Sequence, residues 1–437
     1  MTIAPPLHRL SRNRRYLVWL ISDTSKGLAA SLFGFAIPLL ALIVTGDPAQ
    51  AGIIAGAGMV TRLLTTLAGG VLADRHRRIA LMLLGSLIGI VLAAAFTVIA
   101  LGGGLTFFTL LLADVLLAAR SGLFDVAGES AIKEIVPDAA MGRAQAANQG
   151  RDAALQLAGG PLGGLLLGIG GWAVGAAMTL CHLVAAGTAW MLQRAIRRES
   201  DAGSITDDTP PIAEKDDTAP VRPSAWAEIR EGFGWLMSRP DLGGVLLIIT
   251  IVNLGFNAAT TTVVYALQQA GHSEALIGAL SAVFGAVMLV GAVIAPMLVP
   301  RIGAGTLAVF GIIGITAGAA VVSMVTEPWT IAVVLGAAVF LLPALNASMM
   351  GYFMVATPTH LLGRANSAAG ILGMGAMPLA PLIAGFGLTW LGREMTLLVC
   401  AALCAAAVVL AVSNKALRAL PVESRWVEHA KQYETLP

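Results

Sequence analysis

Twelve long apolar stretches constrain this chain more than anything else in it. They run over 16–44, 49–74, 79–101, 105–130, 143–168 and 171–193, then over 242–268, 275–298, 303–325, 329–355, 363–389 and 393–413. Roughly 20 apolar residues cross the hydrocarbon core of a bilayer, so each stretch suffices for a membrane helix. The expected fold is all-α, with twelve transmembrane helices. Hydrophobic residues make up 57% of the chain and charged ones 12%, against about 25% charged in soluble domains. A soluble enzyme, a nucleic-acid binder and a disulfide-stapled secreted module are excluded. The basic segment before the first stretch resembles the start of a signal peptide, but that stretch is too long for one and reads as a retained anchor.

Basic residues orient the bundle. With the N-terminus inside, twenty-two Lys and Arg fall on the cytoplasmic side and only Arg393 on the other. The positive-inside rule then places both termini in the cytoplasm. The expected location is the cell (inner) membrane, crossed many times. Residues 199–224 hold seven acids, two bases and four prolines, the composition of a disordered linker. After it, over 225–240, Trp226, Ile229, Phe233, Leu236 and Met237 recur at helical spacing and predict an amphipathic helix lying on the interface.

Six spans, a linker and six spans suggest duplication. Pro137-Asp-Ala-Ala-Met-Gly142-Arg143-Ala144 precedes the fifth span, and Pro358-Thr-His-Leu-Leu-Gly363-Arg364-Ala365 precedes the eleventh with the same internal spacing. Gly160-Pro161 and Ala380-Pro381 correspond in the same register. Two matches in register imply pseudo-symmetric parallel repeats, an architecture of transporters. The expected divisions are a six-helix half over 1–198, the linker, the interfacial helix, a second half over 241–414 and a cytoplasmic tail over 415–437.

After the second span stands Gly69-Gly70-Val-Leu-Ala-Asp74-Arg75-His76-Arg77-Arg78. It resembles the loop motif G-x-x-x-D-R/K-x-G-R-R/K of the major facilitator superfamily, matching at Gly70, Asp74, Arg75 and Arg78, with Arg77 in place of the second glycine. Gly160, Pro161 and Gly164 on the fifth span are similar to the G-P-x-x-G-G antiporter motif, one residue short. The segment Glu228–Trp235 resembles the drug:proton antiporter branch of macrolide-efflux and enterobactin-export proteins. The resemblance implies the major facilitator fold and a secondary active transporter whose halves rock about a central site. It also implies a gating role for Gly70, Asp74, Arg75 and Arg78, and export driven by proton antiport.

Ionisable groups inside a bilayer are costly and point to function, and here they are lopsided. The first half carries Asp23, Lys26, Arg62, Asp114, Arg120, Asp125, Glu129, Arg151 and Asp152 within its spans, whereas the second half has no Asp, Glu, Lys or Arg below its span ends. At about 100° per residue, Asp114, Asp125 and Glu129 share a stripe about 60° wide on the fourth span, and Arg120 lies about 240° round from Asp114. Arg120 is therefore expected to pair across to another helix. Burial and a neighbouring arginine pull a carboxyl's proton affinity in opposite directions, so this layer reads either as a proton-coupling network or as a structural lock on the inner gate. For Arg120 and Asp114 depth favours coupling, because a buried ion pair needs excellent geometry. His182, alone on the sixth span, reads as a satisfied core residue.

The second half offers polarity without charge. Asn253, Asn257 and Thr261 share a face of the seventh span, and Asn346, Met350 and Phe353 one of the tenth. Such walls suit amphiphilic, mostly apolar cargo, and methionine favours breadth over tight selection; ordinary packing is the other reading of the Met and Phe positions. Cys181, Cys400 and Cys404 lie in apolar runs without ligand spacing. No phosphate loop, metal-ligand cluster or nucleophile elbow is present in the sequence. The expectation is a monomeric, non-enzymatic multidrug efflux transporter without cofactor or metal, driven by the proton gradient. Symport uptake, lipid or lysolipid flipping, and a non-transporting receptor or assembly factor stand as alternatives.

Overall fold

The computed structural model describes residue 10 and residues 13–203, 225–358 and 361–433. Most of the acidic linker, His360, Arg9 and Arg12 lie outside the described residues. Among those described, every regular element is a helix. The first six are α1 (Arg14–Thr45), α2 (Pro48–Arg75), α3 (Arg78–Leu101), α4 (Phe107–Ile135), α5 (Asp138–Ile169) and α6 (Gly171–Gly203). The short α7 (Ala225–Ser238) leads to α8 (Gly243–Gln269), α9 (Glu274–Leu298) and α10 (Ala304–Met324). Then come α11 (Pro328–Val339), α12 (Leu342–Ala356), α13 (Leu362–Gly375), α14 (Leu379–Trp390) and α15 (Gly392–Ser413). The tail adds α16 (Lys415–Arg418) and α17 (Trp426–Lys431). Among the described residues, twelve segments are long and apolar enough to cross a bilayer.

Local chemistry sets the ends. The Asn13 side chain accepts from the amides of Arg15 and Tyr16 and starts α1, as a cap should. Gly46, at φ +67°, stops it in the left-handed conformation that glycine tolerates. The tenth and eleventh spans are each made of two helices, a division the apolar pattern hid. Pro343 sits in the first turn of α12 and Pro378 immediately before α14, the places where a missing N–H costs nothing. Between α13 and α14 the amides of Ala376 and Met377 both turn to the Met374 carbonyl.

The chain forms two compact units. The first comprises residues 1–46, 57–218 and 273–278, the second 47–56, 219–272 and 279–437. The start of α2, residues 47–56, groups with the second unit and the start of α9, within residues 273–278, with the first. Small residues allow both. A Cβ on Gly52 would run into the Pro381 carbonyl, and one on Gly278 into that of Gly160. Gly164 meets the Glu274 backbone in the same way, whereas Gly168 has open space. In the first unit α6 lies against α1 and α3, closing a core of Trp19, Met82, Ile132 and Leu192. In the second, α15 lies against α8 and α10.

The stripe expected on α7 divides. Leu236 is fully buried and Gly232 packs against the Arg364 backbone of α13, while Phe233 and Met237 remain exposed. A helix resting on a bundle buries only the side turned to it, and the remaining apolar residues face the interface.

Nothing in the residue pattern announced the cluster that seats the tail. Arg239 donates twice to Asp241, at 2.9 and 2.8 Å, and once to the Ala356 carbonyl at 3.3 Å; the Tyr352 hydroxyl donates to Asp241 at 2.5 Å. Asp241 is fully buried. Burial alone would push its carboxyl up, but the bonds from Arg239 and Tyr352 outweigh this and hold it below the usual carboxylate range. Trp426 of α17 packs edge-on against Tyr352, and the Arg239 guanidinium lies over the Trp235 and Tyr433 rings. His429 sits beside Tyr352 with Nε2 buried and unpartnered. Burial pulls its proton affinity below the ordinary histidine value of 6.5; Asp241 opposes this and Arg239 adds to it. Docked, His429 therefore holds a proton less tightly than it does when released. Its contribution to docking is complete above its ordinary pKa and declines as pH falls below it. The protection of residues 426–433 against hydrogen exchange, measured relative to the intrinsic rate at each pH, should fall as pH drops from about 7.5 to about 5.5, a window that brackets that pKa, and His429→Gln should remove most of that difference. An equal loss of protection in the variant would refute the assignment.

Candidate functional site

The intramembrane charges of the first half separate into a paired network and a solitary acid. Trp19, Asp23 and Lys26 lie on one face of α1, at i, i+4 and i+7. Lys26 Nζ is 3.0 Å from Asp23 Oδ1 and 3.6 Å from Asp125 Oδ1 on α4. Arg151 of α5 binds the other Asp23 oxygen at 2.8 Å and Asp152 at 2.8 Å. Arg120 Nη2 reaches Asp125 Oδ1 at 2.9 Å, and Ser121 donates to the remaining Asp125 oxygen. The result is one chain of alternating charge: Asp152, Arg151, Asp23, Lys26, Asp125, Arg120. Three cations balance three acids, so the network is neutral.

Its surroundings are built to fit. The Trp19 indole donates to the Gly128 carbonyl at 3.0 Å, and the Arg151 guanidinium stands 5.7 Å from the Trp19 ring. Gly128 has no room for a side chain, because a Cβ there would meet Lys26 Nζ and Asp23 Oδ1. Arg120 also reaches His182 Nδ1 on α6, at 3.4 Å. His182 is 2% exposed, a partnered core residue as expected.

Arg120 departs from expectation. Its carboxylate partner is on its own helix, five residues along, and only its weaker contacts to Gly85 and His182 cross to α3 and α6. The two positions lie about 140° apart round the helix, but a long guanidinium arm can wrap that arc, and Ser121 holds the carboxylate to meet it. The α4 stripe also divides: Asp114 is buried, Asp125 half-buried and Glu129 exposed. Arg62 and Glu129 are exposed, and among the described residues neither joins an ion pair. They make none of the network's ion pairs, but Glu129 lies within electrostatic reach of Asp23, Lys26, Asp125 and Asp152, and Arg62 of Asp125.

Asp114 stands apart. It is 5% exposed, it makes no ion pair among the described residues, and Oδ2 has no hydrogen-bond partner. About 16 Å of α4 separates it from Asp125. The carboxylate fills the space a Cβ on Gly58 of α2 would need, so a glycine at 58 is a requirement of the acid at 114. Nothing in the one-dimensional pattern pointed to that complementarity.

In the last turn of α2, Asp74 and Arg75 are exposed, while Arg78, the first residue of α3, lies 3.5 Å from Glu134 and donates to the Ser130 carbonyl at 3.4 Å. Arg78 ties the start of α3 to the end of α4. Gly70 has open space around it. In the second unit Thr250 donates to the Leu372 carbonyl at 2.8 Å and Asn253 to that of Gly373 at 3.5 Å. These carbonyls lose helical partners where α13 ends, and α8 supplies the donors that buried backbone demands. Asn257 donates to the Asn253 carbonyl at 2.8 Å and Thr261 is half-buried. On α12 the expected face is not uniform: Asn346 and Met350 are exposed, but Phe353 is 9% exposed and belongs to the packing.

A family model described as Major Facilitator Superfamily matches residues 24–381. The chain belongs to this superfamily. Membership makes it a multi-pass membrane transporter of the secondary type and not an enzyme. Two solved structures show the same fold. A bacterial homologue of the iron transporter ferroportin, in an inward-facing state, aligns with TM-score 0.69 and 15% identity over 92% of this chain and 98% of that one. A point mutant of the nucleoside transporter NupG aligns with TM-score 0.62 and 12% identity over 92% and 99%. No curated protein matches the chain.

Proposed function

We propose that this superfamily member is a proton-coupled exporter of amphiphilic small molecules, drug-like or siderophore-like, working by alternating access in the cell membrane as a monomer. The observation that carries the reading is the isolation of Asp114. A carboxyl with no cation attached can take up and release a proton without dismantling an ion pair, and that is what a coupling group must do once per cycle. The six paired charges instead hold α1, α4 and α5 together, a structural task. In the proposed cycle Asp114 is protonated from outside, the protein turns inward, and the proton leaves to the cytoplasm as cargo loads.

Export is favoured by the resemblance of Gly160, Pro161 and Gly164 to an antiporter motif. Amphiphilic cargo is favoured by the uncharged polarity around Asn257, Thr261, Asn346 and Met350. An accumulation assay in a pump-deficient host tests direction and coupling together. Cells expressing the protein should hold less dye or antibiotic than controls and gain it when an uncoupler collapses the gradient. Loss of cargo on uncoupling would instead indicate symport uptake, and indifference to the uncoupler would remove proton coupling.

A further inference from the structure

A basic pocket of about 500 Å³ opens where α1 begins and α6 leaves the apolar zone, away from the charge network. Arg14 and Arg15 come from the first turn of α1, Arg194 and Arg198 from one face of α6, with Trp190 and Met191 beside them. Among the described lining residues there is no carboxylate. The guanidinium groups of Arg14, Arg194 and Arg198 around one cavity repel one another, and an anion seated among them relieves that cost. The positive end of the α1 dipole points the same way.

We infer that this pocket is a resident site for an anionic phospholipid: Arg14, Arg194 and Arg198 hold the phosphodiester headgroup, and the acyl chains lie along the adjoining apolar faces of α1 and α6. Those faces decide between a lipid and a free phosphate. Trp190 is 51% exposed and Met191 46%, with Leu17 and Ile21 on α1 at 38% and 48%, so apolar surface continues from the basic mouth. The Arg194 guanidinium lies 5.3 Å from the Trp190 ring. That pairs a phosphate-seeking cation with an indole of the kind that belongs at the headgroup level. The site is one of retention, separate from any cargo path.

The test uses the full-length protein, delipidated in neutral detergent and titrated with phosphatidylglycerol, phosphatidylcholine or inorganic phosphate, with bound lipid counted by native mass spectrometry. Phosphatidylglycerol should be retained in preference to phosphatidylcholine and should not be displaced by millimolar phosphate. The double variant Arg14→Gln/Arg194→Gln should weaken its retention roughly 30-fold, the effect of removing two basic residues from an anionic headgroup. The pair Arg301→Gln/Arg418→Gln, with the same charge change elsewhere, should leave it intact. In nanodiscs, brominated phosphatidylglycerol should quench the wild type more than Trp190→Phe. Equal retention of the two lipids, displacement by phosphate, or equal loss in both double variants would overturn the proposal.

Discussion

Replacing Asp114 by Asn should abolish transport driven by a pH gradient while leaving gradient-independent exchange of cargo across vesicles in place. The amide is isosteric with the protonated acid, so the packing against Gly58 is kept and only the proton is lost. Because no cation among the described residues pairs with Asp114, the substitution strands no opposite charge there, and the protein should melt close to the wild-type temperature. The contrast is Asp125→Asn. It loosens two cations at once, Lys26 and Arg120, and should lower stability whatever it does to coupling. Gradient-driven flux that persists in Asp114→Asn would defeat the proposed mechanism. Loss of both flux and exchange with a normal melt would make Asp114 a cargo-binding group instead.

Arg239→Ala should have the largest effect on stability. It leaves the fully buried Asp241 with only the Tyr352 hydroxyl, and breaking a buried pair from one side costs about 3–5 kcal/mol. The guanidinium also fills the space between Trp235 and Tyr433, so packing is lost along with charge. Thermal melting and protease sensitivity of the second unit should both report it, and α17 should be the first element released. Adding Asp241→Asn should restore part of the loss, since an amide tolerates the missing cation better than a carboxylate does. A double variant no more stable than Arg239→Ala would mean that aromatic packing, not the ion pair, holds the tail.

The two arginine–carboxylate assemblies show why legibility was uneven. The intramembrane acids and bases of the first half stood out because charge in an apolar run is rare and expensive. Arg239, Asp241 and Tyr352 did not, because charge beside a loop is ordinary; Tyr352 lies 111 residues from its partner. Helical periodicity gave the directions of Asp114, Asp125 and Glu129 on α4 but not their fates. One meets a glycine, one meets two cations and one meets solvent. The broken tenth and eleventh spans were hidden for a related reason: Pro343 and Pro378 lie in runs apolar enough to look continuous, and hydropathy carries no record of backbone bonding.

Sequence alone determined the twelve spans, the repeated six-span plan and the confinement of intramembrane charge to one half, because transfer between water and lipid acts on each segment independently of its neighbours. Only the tertiary structure decided that six of those charges neutralise one another while Asp114 is left unpaired. It likewise decided that the start of α2 groups with the second unit and the start of α9 with the first, and that four arginines share one pocket. Pairing depends on angstrom-scale distances between side chains far apart in the chain, and a helix's periodicity tells which way a residue points without telling what it will meet.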